Sequence, residues 1–443
     1  MKAEIMTSDT GSGFKSWWIK NDLWVLLALY FFSLPIGKTL WLPLIVMSVS
    51  GIYLFLKGLR QKALVENTGK LLVIAACFFL PALNSLPDSL VTSRTLQYLG
   101  TYPLFVGVGY FILIRMKSVF DLSKLLNSIA LITILWSICA FWQFLLPNNN
   151  PFPAAVGGRY QGVFGQSDMV LGYVLAAVIP FLLFGYWYQG KRTISLFVSM
   201  FLIGTCLISG NRASWVSIIF MLFALPVVAL LMGYRIRVKY LSLLIIAVIL
   251  SGFFGANLIE GTAVKSRLDF TLEFFKNPSF DSFDGSSAGR GEIWSTSVII
   301  GLENPFNGTG VGNFRYAHPY YAPADTIFRF PNSDQTSPHK FTGAMYPHQM
   351  VLQQFAGAGW PGLIGMCLFY ILLLKFSWDA VKYRNLLGVG AVLAVWMGFF
   401  PLNTHLNFHG GWLTGNFWVW IGVLLGCCYR LKDGASPPLS RKG

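Results

Sequence analysis

The chain has 443 residues, 55% of them hydrophobic and only 12% charged, with a formal net charge of +15. That balance excludes an ordinary soluble globular domain and places the chain among integral membrane proteins. Topology and contact with anionic headgroups account for the excess of cations, so nucleic-acid binding is not needed to explain it.

Crossing the hydrocarbon core takes about 20 apolar residues. Runs near that length recur twelve times, near 22–36, 40–57, 70–87, 97–114, 123–146, 169–188, 194–210, 214–232, 240–258, 355–374, 386–403 and 412–429. The fold class expected is an all-α polytopic membrane protein. The first run ends at Pro35 with no small-residue cleavage pattern behind it, so we read it as a retained span and not a signal peptide. Four regions follow: a nine-span bundle over 1–258, an outer segment over 259–354, three further spans over 355–429 and a tail over 430–443. With the N-terminus taken as cytoplasmic, the tails and inner loops hold 22 of the 33 lysines and arginines. The short outer loops hold only Lys38, Arg94, Arg159 and Arg212, which predicts that both termini are cytoplasmic. The six cysteines all fall within predicted spans, so neither a structural disulfide nor a cysteine metal site is expected.

No ionisable residue lies well inside a span, unlike the pattern of ion-coupled transporters. The spans therefore read as a scaffold with chemistry at its outer rim. In the outer segment, Val264, Leu268, Leu272 and Phe275 recur at helical spacing and predict an amphipathic surface helix. A second helix is expected from about Ser287 to Gly301 or Asn304, burying Ile293, Trp294, Val298 and Leu302. The stretch "NPFNGTGVGNF" after it either cradles phosphate or makes a tight turn. A third helix is expected to start at Pro347, which places His348 in its first turn. There the helix dipole favours the neutral, proton-accepting imidazole; the alternative is a histidine that merely caps an interfacial helix.

Two arginines oppose local preference. Arg212 sits in the outer turn "SGNRAS", against the inside-positive trend, and Arg290 in "SSAGRGEIW" is a cation at the start of a helix. Their planar donor forks suit phosphate, the alternative being an ion pair with an acid such as Glu292. A neutral histidine with arginines at the membrane rim points to a lipid diphosphate whose leaving group needs stabilisation while a hydroxyl needs a base. No metal is expected: Asp281 and Asp284 in "DSFDG" suit a turn better than a cation site, and His405 and His409 lack a third ligand.

Taken together, these residues resemble the bacterial O-antigen ligases, in the superfamily that also holds O-antigen polymerases and protein O-oligosaccharyltransferases. Arg159 in "RYQGVF" looks like the family's Arg-x-x-Gly-x-Phe turn, Arg212 like its small-residue turn, and Arg290 with Trp294 like Gly-Arg-x-x-x-Trp. Pro305, Gly308, Gly310, Gly312 and Phe314 match the glycine motif, and His348 with Leu352 the histidine motif. Gln349 stands where the family usually has Asn, and Gly357 where many members have Glu.

The resemblance implies a GT-C-like glycosyltransferase of the bacterial inner membrane, with a large periplasmic helical loop. It would move O-antigen from undecaprenyl diphosphate to a lipid A–core hydroxyl, with inversion and without a cofactor. His348 would activate the acceptor, Arg212 and Arg290 would bind the diphosphate, and Arg159 would be a further donor-site candidate. An O-antigen polymerase is the nearest alternative and a lipid-linked glycan transporter the one from another class. A protein O-oligosaccharyltransferase is disfavoured, because only "YRLKDGASPPLSRKG" follows the last span.

Overall fold

The computed structural model describes residues 13–117, 121–153, 159–165, 170–233, 276–287, 289–332, 340–402 and 411–429, with 265, 269, 272, 404 and 407–409. The predicted span near 240–258, most of the stretch from Val264 to Phe275 and His405 lie outside these residues.

Eight helices form the first part of the bundle: α1 (Gly13–Ser33), α2 (Trp41–Arg60), α3 (Thr68–Asn84), α4 (Thr92–Lys117), α5 (Leu122–Leu145), α6 (Leu171–Tyr188), α7 (Arg192–Ile208) and α8 (Arg212–Leu231). Three shorter helices follow, α9 (Phe280–Ser287), α10 (Arg290–Glu303) and α11 (Phe314–Tyr321). A two-residue antiparallel ribbon then pairs Phe330 with Thr342, and α12 (Met350–Lys382), α13 (Leu386–Phe399) and α14 (Gly411–Tyr429) complete the chain. Eleven of the twelve apolar runs coincide with helices. Among the described residues, seven helical runs are long and apolar enough to cross a membrane, and one of them, Trp17–Arg60, joins α1 to α2 through a 3-10 segment. Three more apolar helices, Thr68–Asn84, Arg192–Ile208 and Leu386–Phe399, are shorter.

Polar residues set where several helices begin. The side chains of Asp121, Asn211, Asn385 and Gln349 each accept a backbone N–H from the first turn of α5, α8, α13 and α12. Small residues set where the helices cross. A Cβ on Gly51 would overlap the Gly107 carbonyl between α2 and α4, and one on Gly365 the Cys77 carbonyl between α12 and α3. In the centre, the Phe78 ring lies 5.1 Å from Phe408, 5.3 Å from Phe417 and 5.4 Å from Phe369.

Because successive helices alternate in direction, the ends of α3, α5, α7 and α13 and the starts of α4, α6, α8 and α14 share one face. The segment from 276 to 358 packs there, and we call it the site face. Helix α12 is bent at Gly359, whose φ is 62°. The Trp360 N–H donates to the Pro305 carbonyl at 2.7 Å, so the first nine residues of α12 belong with the outer segment and the rest with the bundle.

Two expectations for the outer helices change. Gly289, at a φ of 77°, separates α9 from α10, so the second outer helix starts at Arg290 and not near Ser287. Its buried face is Ile293, Thr296, Ser297, Ile300 and Gly301, while Val298 and Leu302 are exposed. Gly301 rather than a larger residue meets Phe355 of α12, which turns the helix away from the face expected.

Candidate active site

The third outer helix starts at Met350 and not at Pro347, which moves His348 out of the helix. The reason is Gln349: it takes the N-cap position, and its side-chain oxygen accepts the Leu352 N–H at 2.6 Å. Asn is the shorter residue for that task, and Gln349 reaches it from extended backbone, with φ −151° and ψ 123°. His348 itself lies at a φ of 55°, in the left-handed region that costs a non-glycine residue about 1–3 kcal/mol and persists where neighbours fix it.

The neighbours here are identifiable. On one side, the Trp294 indole N–H of α10 donates to the Pro347 carbonyl at 2.9 Å. On the other, the Gln349 amide donates to the Pro401 carbonyl beyond α13. His348 is thus held between two anchored residues, half-buried, with the Tyr346 ring 4.4 Å away. Further along α12, Gln353 bonds the Asn407 side chain and accepts the Phe408 N–H, and the Gln354 amide lies 3.2 Å from His409 Nε2. His409, buried in the loop before α14, is held near pKa 4 by that burial. Its ring is engaged with the Gln354 amide and with Tyr98, 5.3 Å away, which gives it a place in the packing of the loop.

Arg212 and Arg290 lie within electrostatic reach of one another. Arg212 is the first residue of α8, behind a turn in which Ser209 donates to the Cys206 carbonyl and Asn211 caps the helix. Arg290 is the first residue of α10. Burial holds its guanidinium down to about pKa 10, the nearby charge of Arg212 pushes the same way, and Tyr346 pushes against both. The Tyr346 that touches His348 therefore also lies in the field of Arg290. Among the described residues neither arginine has a carboxylate within ion-pairing distance. Glu292, the acid nearest in sequence, instead accepts the Thr326 hydroxyl. Two guanidiniums in one another's field, with no acid paired to either among the described residues and both at helix N-termini, have the chemistry that suits an anion.

Arg159 is half-buried in the loop after α5. Two residues on, the Gln161 amide donates to the Ser209 carbonyl at 2.8 Å, which ties this loop to the turn before Arg212. Arg159 thus lies two residues from the contact between this loop and the turn before Arg212.

The glycine stretch packs as a clamp between the bundle and α12. Its backbone is spent on the protein: Thr309 N–H donates to the Ala356 carbonyl, Val311 N–H to the Ser85 hydroxyl, and the Thr309 carbonyl accepts Leu90 N–H. Gly312, at a φ of 82°, lies where a Cβ would overlap the Tyr98 ring of α4, and a Cβ on Gly308 would overlap the backbone at Gly357 and Ala358. The Gly357 position faces Val311 in this clamp, so a side chain there would point into the glycine turn. Asp284 likewise has a structural task, accepting the Glu292 N–H at 2.9 Å at the start of α10. Among the described residues no three His, Cys, Asp or Glu side chains group as metal ligands.

Sequence reasoning missed the anchoring roles of Trp294, Gln349, Gln353 and Gln354. A signal was present for the glutamines, since three of them within six residues at the start of an apolar helix need polar partners.

The family model described as O-antigen ligase matches residues 197–367, a segment that contains Arg212, Arg290 and His348 but not Arg159. No curated protein matches the chain. Over this segment, which is less than half of the chain, the sequence is similar to the O-antigen ligases, and the match supports a place in the O-antigen ligase/polymerase superfamily.

Proposed function

We propose that the chain is an O-antigen ligase of the bacterial inner membrane, with both termini cytoplasmic and the site face toward the periplasm. It transfers O-antigen from undecaprenyl diphosphate to a hydroxyl of the lipid A–core, with no metal or cofactor. The observation that carries this reading is the pairing of Arg212 with Arg290, without an acid, next to a histidine held on both sides.

Arg212 and Arg290 bind the diphosphate and stabilise the charge that grows on its bridging oxygen as the sugar leaves. Arg159, beside the turn before Arg212, contributes to the donor site. The acceptor oxygen attacks the anomeric carbon from the face opposite the diphosphate, so the new C–O bond forms as the old one breaks and the configuration inverts. A ring nitrogen of His348 takes the hydroxyl proton, and the electron pair of the broken bond stays on the diphosphate.

The test is reconstitution of purified protein with lipid-linked O-antigen and lipid A–core in chelator, with product resolved on a gel. A ladder on the core that disappears in His348→Ala supports the ligase. Longer lipid-linked chains with an unmodified core make it a polymerase. Transfer at the wild-type rate by a folded His348→Ala protein removes the histidine from the mechanism, and lipid movement across a sealed bilayer with no new bond makes the protein a transporter.

A further inference from the structure

A second pair of arginines stands on the site face, carried by α4 and α11 and not by α8 and α10. Arg94 is in the first turn of α4 and Arg315 in the first turn of α11, so each opposes its helix dipole as Arg212 and Arg290 do. Both guanidiniums lie 5.3 Å from the centre of the same ring, that of Tyr316, so their charges are no more than twice that distance apart. Both are half-buried, and among the described residues neither has a carboxylate within ion-pairing distance. The Nε atom of Arg315 is buried with no hydrogen-bond partner. Asp88, an acid of the α3–α4 connection, is engaged by Asn307. The glycine clamp fixes this arrangement, since Thr95, next to Arg94, donates to the Val311 carbonyl and Gly343 donates to the Arg315 carbonyl.

Below the pair, α2, α3 and α4 enclose an apolar groove of about 410 Å³. Its wall nearest the site face is Phe79, Leu80, Tyr102 and Pro103, and it runs along α4 to Tyr110. Leu72 and Leu80 on its rim are exposed, so it opens sideways, toward where acyl chains lie if the bundle spans a membrane. A paired cationic head site over a lateral apolar groove matches one ligand chemistry, an amphiphile with a phosphorylated headgroup.

The geometry points to Arg94, Tyr316 and Arg315 as a headgroup site for a second, phosphate-bearing glycolipid, with one of its acyl chains in the α2–α3–α4 groove. This rests on the ligase reading in one respect: that reading makes the glycolipid the acceptor. The site is distinct from the Arg212–Arg290 pair, so the protein holds its two lipids by two separate anion sites.

The experiment measures binding, which does not depend on turnover. Purified protein in detergent is titrated with bisphosphorylated lipid A, with the same lipid after phosphatase treatment, with the same lipid after deacylation, with inorganic phosphate and with undecaprenyl diphosphate, for wild type, an R94Q/R315Q double variant and Ala76→Phe, which narrows the groove. The double variant is expected to lose at least about tenfold in affinity for bisphosphorylated lipid A, the scale of a lost charge-assisted contact, and to bind undecaprenyl diphosphate within twofold of wild type. The phosphatase-treated lipid should bind both proteins equally weakly. Ala76→Phe should weaken the intact lipid but not its deacylated form. Unchanged affinity of the double variant for bisphosphorylated lipid A overturns the site, and competition by inorganic phosphate with no requirement for acyl chains reduces it to a phosphate site. Wild-type binding of this kind without any transfer would refute the ligase reading and leave the site standing.

Discussion

Acidification should loosen the support of His348 through a different histidine. His318, in α11, is fully buried, and among the described residues neither ring nitrogen has a hydrogen-bond partner. Burial, and then the charge of Arg329, lower its pKa from 6.5 to about 4. The unfolded segment takes up this proton near 6.5, so between 6.5 and 4 the unfolded state binds more protons than the folded one. The stability contributed is therefore complete above pH 6.5 and falls as pH falls through that window. With 1.36 kcal/mol per pKa unit, roughly 2 kcal/mol is lost by pH 5 and about 3 kcal/mol by pH 4. His318 packs against Gly343, and Gly343 leads into the strand of chain that ends at His348. Limited proteolysis between 276 and 347 should consequently accelerate about 30-fold from pH 7 to pH 5, in the regime where cleavage follows the open population. His318→Phe should remove the part of this dependence due to His318 and leave that of His409, whose burial lowers its pKa in the same direction. An acid profile identical in wild type and His318→Phe would refute the reasoning.

Trp294→Phe should keep the packing against Phe283, 5.7 Å away, but leave the Pro347 carbonyl without its donor; at about 1–3 kcal/mol for an unpaired buried group, the thermal midpoint should drop by a few degrees and kcat should fall roughly tenfold, as read by differential scanning fluorimetry and steady-state transfer. Gly312→Ala should destabilise by at least about 2 kcal/mol, because it adds a Cβ into the Tyr98 ring at a positive φ; thermal melts should show a large drop that Tyr98→Ala only partly restores. Arg290→Gln should weaken donor binding by about 1.5–3 kcal/mol, the range for a charged hydrogen bond. Since the wild-type guanidinium ionises near 10, its charge is present throughout pH 7–8.5, and donor affinity should show no Arg290-dependent change there.

Residue chemistry with a local cause was readable in advance, and residue chemistry with a distant cause was not. Apolar runs marked α1–α8 and α12–α14 because length and hydropathy are properties of the segment itself. Arg212 and Arg290 stood out because a cation at a helix start, or on the outer side, is locally disfavoured. His348 was found but misplaced: Pro347 suits a first helical position, whereas the cap that fixes the helix is Gln349, and the left-handed backbone of His348 depends on Trp294 and Pro401, each more than fifty residues away. The glycine stretch was ambiguous for the same reason, since its partners are Ser85, Leu90 and Ala356. Arg94 and Arg315 gave no signal as a pair, because only Tyr316 brings them together.

The glycine clamp has a consequence for assembly order. Its bonds reach back more than 200 residues to Ser85, Leu90 and Thr95 and forward to Ala356 and Trp360. Closing loops of that length costs chain entropy before any contact repays it, so the clamp forms only on helices that have already met. The outer segment is accordingly not an independent domain that could be excised in soluble form. The strap of chain that carries His348 takes shape last, on a finished bundle, and a chain whose helices are inserted but not yet packed has no assembled arrangement of Arg212, Arg290 and His348.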